Sequence, residues 1–277
     1  MPATLYIHIT PAAPVRLQPY TSSGLGWLLA LLYRDNPDLS GALHDTNAVK
    51  PFSLSTWLTI TDYAIEAERS GEPLLLSAAP NVNPGTRASL RVAVAHDAII
   101  DAILSALDCG DHPPLGGTPV TVVDFPHVFD PAVSVDCFAC PWEGLLSAPP
   151  AKRIDLRFAS PTAFSSQGRD ILLPDAHRML ESWQRKWLAW GGPPLPEADP
   201  KDLATALLVE SYELATSVHG HGNARNRGFS GTLSWRFAPG TPPDVRCMIA
   251  TLAGFSNFSG TGAKTNFGFG QTRAQVS

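Results

Sequence analysis

The sequence predicts an α+β protein made of two tandem domains, each with the order strand–helix–strand–strand–helix–strand. Three observations carry this. Strand-like and helix-like segments follow that order through the first 125 residues; a proline-rich stretch, residues 126–151, interrupts it; and a comparable order then starts again. This is the split βαβ, or ferredoxin-like, unit. The halves share no obvious sequence repeat, so the duplication is one of architecture. The boundary falls at Ala148-Pro149-Pro150, giving domains over residues 1–150 and 151–277.

The elements follow from local pattern. Residues 5–9 alternate and are rich in β-formers, so they read as a first strand. Pro11, Pro14 and Pro19 keep the next stretch extended. Residues 25–34 are apolar nearly all round, as in a buried helix, and Asn36-Pro37 should end it. Residues 43–52 read as a polar turn and 53–60 as a strand. Residues 64–89 should hold one or two strands about the turn Asn83-Pro84-Gly85. A strand follows at 90–95. Residues 97–107 have apolar side chains at 99, 100, 103, 104 and 107, which is helical spacing; a strand at 118–125 completes the unit.

The second unit opens with a strand at 154–158. A helix over 175–190 puts Trp183, Trp187 and Trp190 on one face, most simply as core, before Gly191-Gly192-Pro193-Pro194 breaks it. Residues 203–214 read as a helix running into a strand, 228–237 as a strand, 244–255 as a helix, and 269–276 as the last strand.

Apolar content of 44% and charged content of 16% describe a soluble globular chain. The longest apolar run, about residues 24–33, is too short to span a bilayer, so no membrane partner is expected. The N-terminus opens into strand-like sequence without a basic n-region or cleavage site, so a cytoplasmic location is expected. Cys109, Cys137, Cys140 and Cys247 are too few for a disulfide scaffold. Cys137-x-x-Cys140 has no second pair, so neither a metal nor another cofactor is expected. The net charge of −5 is unevenly spread. Beyond residue 213, Arg225, Arg227, Arg236, Arg246, Lys264 and Arg273 face the single acid Asp244, so this tail carries +5 and the remainder −10. Polyanion binding depends on such a local field, not on the total.

The basic tail also holds the densest glycine stretch, residues 254–270. Gly260/Gly262 and Gly268/Gly270 form two Gly-x-Gly clamps separated by five residues, with Lys264 in the spacer. Glycines at this density give up backbone order, and the usual reason is close approach of main-chain N–H groups to a ligand, often a phosphate. A P-loop is excluded because Phe258 and Ala263 stand where its glycines belong before Lys264-Thr265. A dinucleotide fingerprint fails because Thr265 replaces the third glycine and the stretch lies between a helix and a terminal strand. An unusual phosphate loop in a nucleotide-binding enzyme is the weakest remaining reading. A ligand-free flexible turn, the default for a lone Gly-x-Gly, leaves the paired clamp around a lysine unexplained.

The pattern Gly260-x-Gly262-x5-Gly268-x-Gly270 resembles the glycine-rich loop of the RAMP superfamily of CRISPR-associated RNA-binding proteins. More narrowly it resembles the CRISPR repeat endoribonucleases, which cut precursor CRISPR RNA into guide units. Residues 156–164 and 227–231 stand where that family has the first and a middle strand of its C-terminal half. The likeness is strong from about 154 to 271 and diffuse over 1–150, apart from the segment around His44. It agrees with the two tandem ferredoxin-like (RRM-like) domains read above. It implies metal-independent cleavage: the ribose 2′-OH attacks the adjacent phosphate, leaving 2′,3′-cyclic phosphate and 5′-OH ends. Histidine suits the proton transfers, and a lysine or arginine suits the charge on the phosphorane.

The family carries its histidine just after the first helix, which here is His44; Lys50 matches a lysine found in some members and would stabilise the phosphate. Some members use a tyrosine of the first helix, for which Tyr33 and Tyr20 are candidates. The likeness assigns RNA contacts to Gly260, Gly262, Lys264, Gly268 and Gly270, and Arg225 and Arg227 join them as phosphate contacts. His219 and His221 form a rival pair, in a segment that is more often a solvated connection between strands. The expected partner is CRISPR repeat RNA, with an effector complex and a homodimer left open. The alternative is a non-catalytic RAMP subunit that only grips guide RNA within an effector complex.

Overall fold

A computed structural model describes residues 1–45, 49–70, 77–219 and 225–277. The chain divides into two compact units: residues 1, 3–139 and 266–268, and residues 2, 140–265 and 269–277. Both are α+β with antiparallel sheets. The proline-rich stretch 126–151 is shared out between them instead of standing as a linker.

The first unit contains β1 (Ala3–Pro11), β2 (Val15–Arg16), α1 (Ser23–Tyr33), α2 (Pro37–His44), β3 (Phe52–Leu54), β4 (Leu58–Thr59), α3 (Asp62–Arg69), β5 (Ser77–Ala78), β6 (Asn81–Val82), β7 (Ala88–Val94), α4 (Asp97–Asp108), β8 (Val120–Asp124) and β9 (Cys137–Ala139). The sheet order is β5-β4-β7-β1-β8, with β3 also on β7 and β9 also on β1. β1 is buried along almost its whole length, and its period-two alternation separates two environments. Leu5, Ile7 and Ile9 join the core built with Leu28, Leu31 and Leu32 of α1 and Ile100, Ile103 and Leu107 of α4.

Thr4, Tyr6 and His8 enter a buried polar network. Arg91 pairs with Glu68 through Nη2 at 2.8 Å and Nε at 3.0 Å. The Tyr6 hydroxyl donates to the same carboxylate, and Arg91 also donates to Thr4 Oγ1 at 3.3 Å. Burial and the Glu68 charge push the Tyr6 phenol well above its ordinary range.

Two short helices stand where sequence pattern suggests a turn and strands. Pro37 does end the helical run before it, but it also opens α2, because the first turn of a helix has no need of the proline's missing N–H. α3 starts at Thr61, whose side chain accepts from Ala64 N at 3.3 Å, and turns Ile65 and Glu68 inward.

The second unit contains α5 (Trp142–Leu146), β10 (Arg153–Thr162), β11 (Phe164–Ser166), β12 (Arg169–Ile171), α6 (Ala176–Ala189), α7 (Pro200–Thr205), β13 (Leu207–His219), β14 (Asn226–Phe237), α8 (Pro243–Ser259) and β15 (Thr272–Val276). Its sheet order is β13-β14-β10-β15, which makes β10, α6, β13, β14, α8 and β15 a ferredoxin-like unit. α5 is tied to α8 by Thr251 Oγ1, which donates to Leu145 O at 3.0 Å. Ile154, Leu156 and Phe158 of β10 are buried with Leu233 and Trp235 of β14. The tryptophans of α6 are fully buried, as their spacing predicts. Trp187 and Trp190 meet Phe255 edge-on at 5.2 and 5.4 Å, the geometry that aromatic quadrupoles favour. The segment read as a helix running into a strand contains only one and a half turns of helix; β13 takes over at Leu207 and forms a long hairpin with β14. Among the described residues, no helix is long and apolar enough to cross a membrane.

Candidate functional site

The glycine stretch begins inside a helix. α8 continues through Ser259, and Gly260 closes it with φ +66° and an N–H bond to Ser256 O at 2.9 Å. The chain then folds back on itself. Thr261 N donates to Gly270 O at 2.8 Å, Gly270 N to Pro161 O at 2.9 Å, and Ala263 N to Ala163 O at 2.8 Å. Gly262 N donates to Ser182 Oγ at 3.1 Å. Gly260, Gly262, Gly268 and Gly270 are all buried, with φ between +66° and +89°. A Cβ on Gly270 would stand 2.1 Å from Thr261 O, and one on Gly262 would stand 2.4 Å from Ala163 O. The bare backbone that the glycine density demands is therefore needed for packing against the chain itself. The N–H groups of Gly260, Gly262 and Gly270 are occupied within the fold.

α6 braces this loop with three side chains on one face. Ser182 holds Gly262, Trp183 Nε1 donates to Thr261 Oγ1 at 2.9 Å, and Lys186 Nζ donates to Ser259 O and Gly260 O at 3.2 and 3.1 Å. Burial, with a smaller contribution from the Arg185 charge, pushes the Lys186 ammonium down to about 7. The sequence offers no local sign of this brace, because the two segments lie about 80 residues apart.

Lys264 is what the loop presents outward. It is exposed, and its backbone has φ +59°. Its ammonium donates to Asn226 Oδ1 at the start of β14. Arg225 and Arg227, on either side of Asn226, are both exposed. The loop lysine thus reaches the start of β14 beside the two arginines singled out from sequence, although Arg227, the next residue along the strand, points to the face opposite Asn226.

His44 is the last residue of α2 and is exposed. It lines a groove of about 450 Å³ between α1 and α2, with Leu29, Ala30, Tyr33, Ser40 and Gly41. Ser40 Oγ donates to Leu29 O at 2.9 Å and fixes the two helices together there. Tyr33, not Tyr20, shares the groove with His44, and its side chain is 65% exposed. Tyr20 is half-buried with φ +59°, and burial raises its phenol. Lys50 donates to Asp45 O one residue beyond His44; partial burial lowers its ammonium, and the Asp45 charge opposes that shift.

His219 ends β13 and lies 2.9 Å from Ser217 Oγ, with its imidazole pushed down by burial. His221 lies outside the described residues. The first unit also contains an array with the order of a nucleophilic triad. His8 Nδ1 is 2.7 Å from Ser89 Oγ and His8 Nε2 is 3.0 Å from Asp136 Oδ1. Ser89 and His8 are 0% exposed, so no substrate can reach the hydroxyl. These residues hold β1, β7 and the segment before β9 together.

Comparison with known proteins gives a consistent picture. The family profile of CRISPR-associated endoribonuclease Cas6 matches residues 156–272. A CRISPR-associated endoribonuclease Cas6 of Mycobacterium tuberculosis (strain CDC 1551 / Oshkosh) is 28% identical over 130 residues, which is 46% of this chain and 40% of that relative. The chain thus matches well under half the length of that curated relative. Among solved structures, the product complex of Cas6 TTHB231, a Thermus thermophilus protein, has a TM-score of 0.76 at 24% identity over 99% of both chains. The product complex of Cas6 TTHA0078 has a TM-score of 0.70 at 22% identity, again over 99% of both. A Cas6-related protein of Pyrococcus furiosus has a TM-score of 0.60 at 14% identity, over 100% of this chain and 99% of that one. At the level of the fold, the likeness to these solved structures runs along the whole chain.

Proposed function

We propose that this Cas6-like chain is an endoribonuclease that cuts CRISPR repeat RNA in precursor transcripts to release guide RNAs, acting in the cytoplasm. The observation that carries the reading is the Cas6 match over residues 156–272, which takes in the whole glycine loop and its brace. The solved neighbours agree with it: two are product complexes, one is a substrate-mimic complex, and one is a histidine-to-alanine mutant.

The chemistry we assign is metal-independent transesterification by the 2′-OH, with a 2′,3′-cyclic phosphate and a 5′-OH as products. It needs one proton taken from the 2′-OH, one given to the departing 5′-oxygen, and positive charge near the phosphorane. His44 carries one of the proton transfers. Tyr33, on the same groove, is the second group able to exchange a proton there. Lys50 supplies charge. Lys264, Arg225 and Arg227 hold the RNA backbone, and the four glycines keep Lys264 in position. Cutting and holding therefore lie on different units of the chain.

The test is incubation with the repeat transcribed from the adjoining CRISPR array, followed by end-group analysis. His44→Ala should lower the cleavage rate by about 10²–10⁴-fold, the range for loss of a general acid or base, with RNA binding retained. Cleavage should persist in EDTA and stop when a 2′-deoxy nucleotide stands 5′ to the cut. A fully active His44→Ala variant would remove His44 from the reaction, and a 3′-OH product would remove the mechanism.

A further inference from the structure

A polar cavity of about 410 Å³ lies in the second unit between the β11–β12 hairpin, α6 and the glycine loop at Gly262 and Ala263. Arg178, Glu181 and Arg185 reach it from one face of α6, spaced three and four residues apart. Ser166 and Gln167 face them from the hairpin, and Arg178 Nη2 lies 3.5 Å from Ser166 Oγ. Glu181 sits between the two arginines in sequence, yet neither arginine has an ion-pair partner among the described residues. The cavity therefore gathers two guanidinium groups and one carboxylate, with neither guanidinium in an ion pair among the described residues.

We propose that this cavity is a binding site for the phosphodiester backbone of single-stranded RNA, with Arg178 and Arg185 each taking a phosphate. This rests on the reading of the chain as a repeat-RNA endoribonuclease and names a part of the surface that holds the strand. Guanidinium forks match phosphate oxygens bidentately. The Ser166 hydroxyl and Gln167 amide suit ribose hydroxyls or base edges. The volume falls in the range of sites that take a nucleotide-sized ligand.

The positive charge also continues beyond the cavity, which argues for a polymer and not an isolated phosphate. Ala263 lines the cavity, Lys264 is the next residue, and the Lys264 ammonium reaches Asn226 between Arg225 and Arg227. Lys264 thereby extends the cationic surface from the cavity to the start of β14, as suits successive phosphates of one strand.

The experiment compares wild type with Arg178→Gln/Arg185→Gln, using the same repeat RNA across a salt series. The variant should bind about 10-fold more weakly near 0.1 M salt. Its slope of log affinity against log salt should shrink by about 1.4, the value for two phosphates lost from a single strand. A methylphosphonate scan of the RNA should then find one or two positions where neutralising the phosphate weakens wild type but not the variant. Arg185 is exposed, so Arg185→Gln alone keeps the test, with half the slope change, if melting shows the double variant to be unfolded. Wild-type protein that neither binds nor cuts this RNA would refute the function itself. Wild-type binding with an unchanged affinity and slope in the variant would refute only the cavity. Equal methylphosphonate effects in both proteins at every position would do the same, because the arginines would then act as a diffuse field.

Discussion

Gly270→Ala should unfold the second unit more readily, and the size of the effect can be worked from the loop. Gly270 has φ +68°, which costs an L-residue roughly 1–2 kcal/mol. Its added Cβ would stand 2.1 Å from Thr261 O, over 1 Å inside ordinary carbon–oxygen separation of about 3.3 Å. Relief requires the two backbones to part, and that breaks the Thr261 N–Gly270 O bond at 2.8 Å and strains the Gly270 N–Pro161 O bond at 2.9 Å. Leaving buried groups of this kind unsatisfied costs about 1–3 kcal/mol each. With one such bond lost, the total is roughly 2–5 kcal/mol. Gly240→Ala is the matched control, because Gly240 has φ +80° in the same unit but nothing within 4 Å of its added Cβ. It should lose only about 1 kcal/mol. Urea unfolding followed by tryptophan fluorescence reads both, since Trp183, Trp187, Trp190 and Trp235 are buried in this unit. If Gly270→Ala unfolds together with Gly240→Ala, the loop is not braced from within. The glycines would then be kept for contact with a ligand, and Gly270→Ala would weaken RNA binding at native stability.

Two further outcomes follow from buried charge. The Lys186 ammonium is held near 7 in the folded chain, so between about pH 7 and 10 the unfolded chain keeps a proton that the folded one has released. Stability conferred by this site must therefore rise with pH across that window. The unfolding free energy of wild type minus that of Lys186→Met should climb by up to about 1.4 kcal/mol per pH unit, and a flat difference would show that the lysine titrates normally. Arg91→Met should leave the Glu68 carboxylate buried without its cation, at a cost of about 3–5 kcal/mol, and adding Glu68→Leu should recover most of it in urea unfolding. A double variant no more stable than the single one would mean that the loss came from packing and not from the orphaned charge.

The strands and helices that frame both sheets were legible because each alternates or repeats within its own segment; α4 and α6 show helical spacing over three turns. α2 and α3 were not, for different reasons. Pro37 is both a stop for one helix and a favourable first residue for the next, and local pattern alone does not separate the two roles. α3 has only eight residues and two inward side chains, too few to establish a period, although Thr61 before it is a recognisable cap. The hairpin of β13 and β14 was half hidden because β13 is an edge strand exposed along most of its length, so its apolar alternation is weak. At the candidate sites, cationic side chains were legible and packing was not. Lys264 and its neighbours Arg225 and Arg227 stand out by charge. The partners of the glycines, Pro161, Ala163 and Ser182, are set by the fold and lie about 80 to 110 residues away. His44 has no local signature and was reached only through family likeness; its sharing a groove with Tyr33 needed α2, which the sequence pattern concealed.

A loop whose buried N–H groups are used internally offers RNA its side chains, and this has a measurable consequence. A nest of main-chain N–H groups would grip a phosphate without releasing many counterions, because the donors carry no net charge. Lysine and arginine side chains neutralise phosphates one by one, and each neutralised phosphate of a single strand contributes about 0.7 to the slope of log affinity against log salt. Arg178, Arg185, Lys264, Arg225 and Arg227 together would give a slope near −3.5 if all five engage. Lys264→Ala should reduce it by about 0.7 and weaken binding severalfold, with the melting curve of the second unit unchanged because Lys264 is exposed. A slope close to zero in the wild-type protein would mean that backbone groups do hold the strand. The loop would then have to open its internal bonds on binding RNA, and Gly262 N would exchange with solvent in the free protein faster than its bond to Ser182 allows.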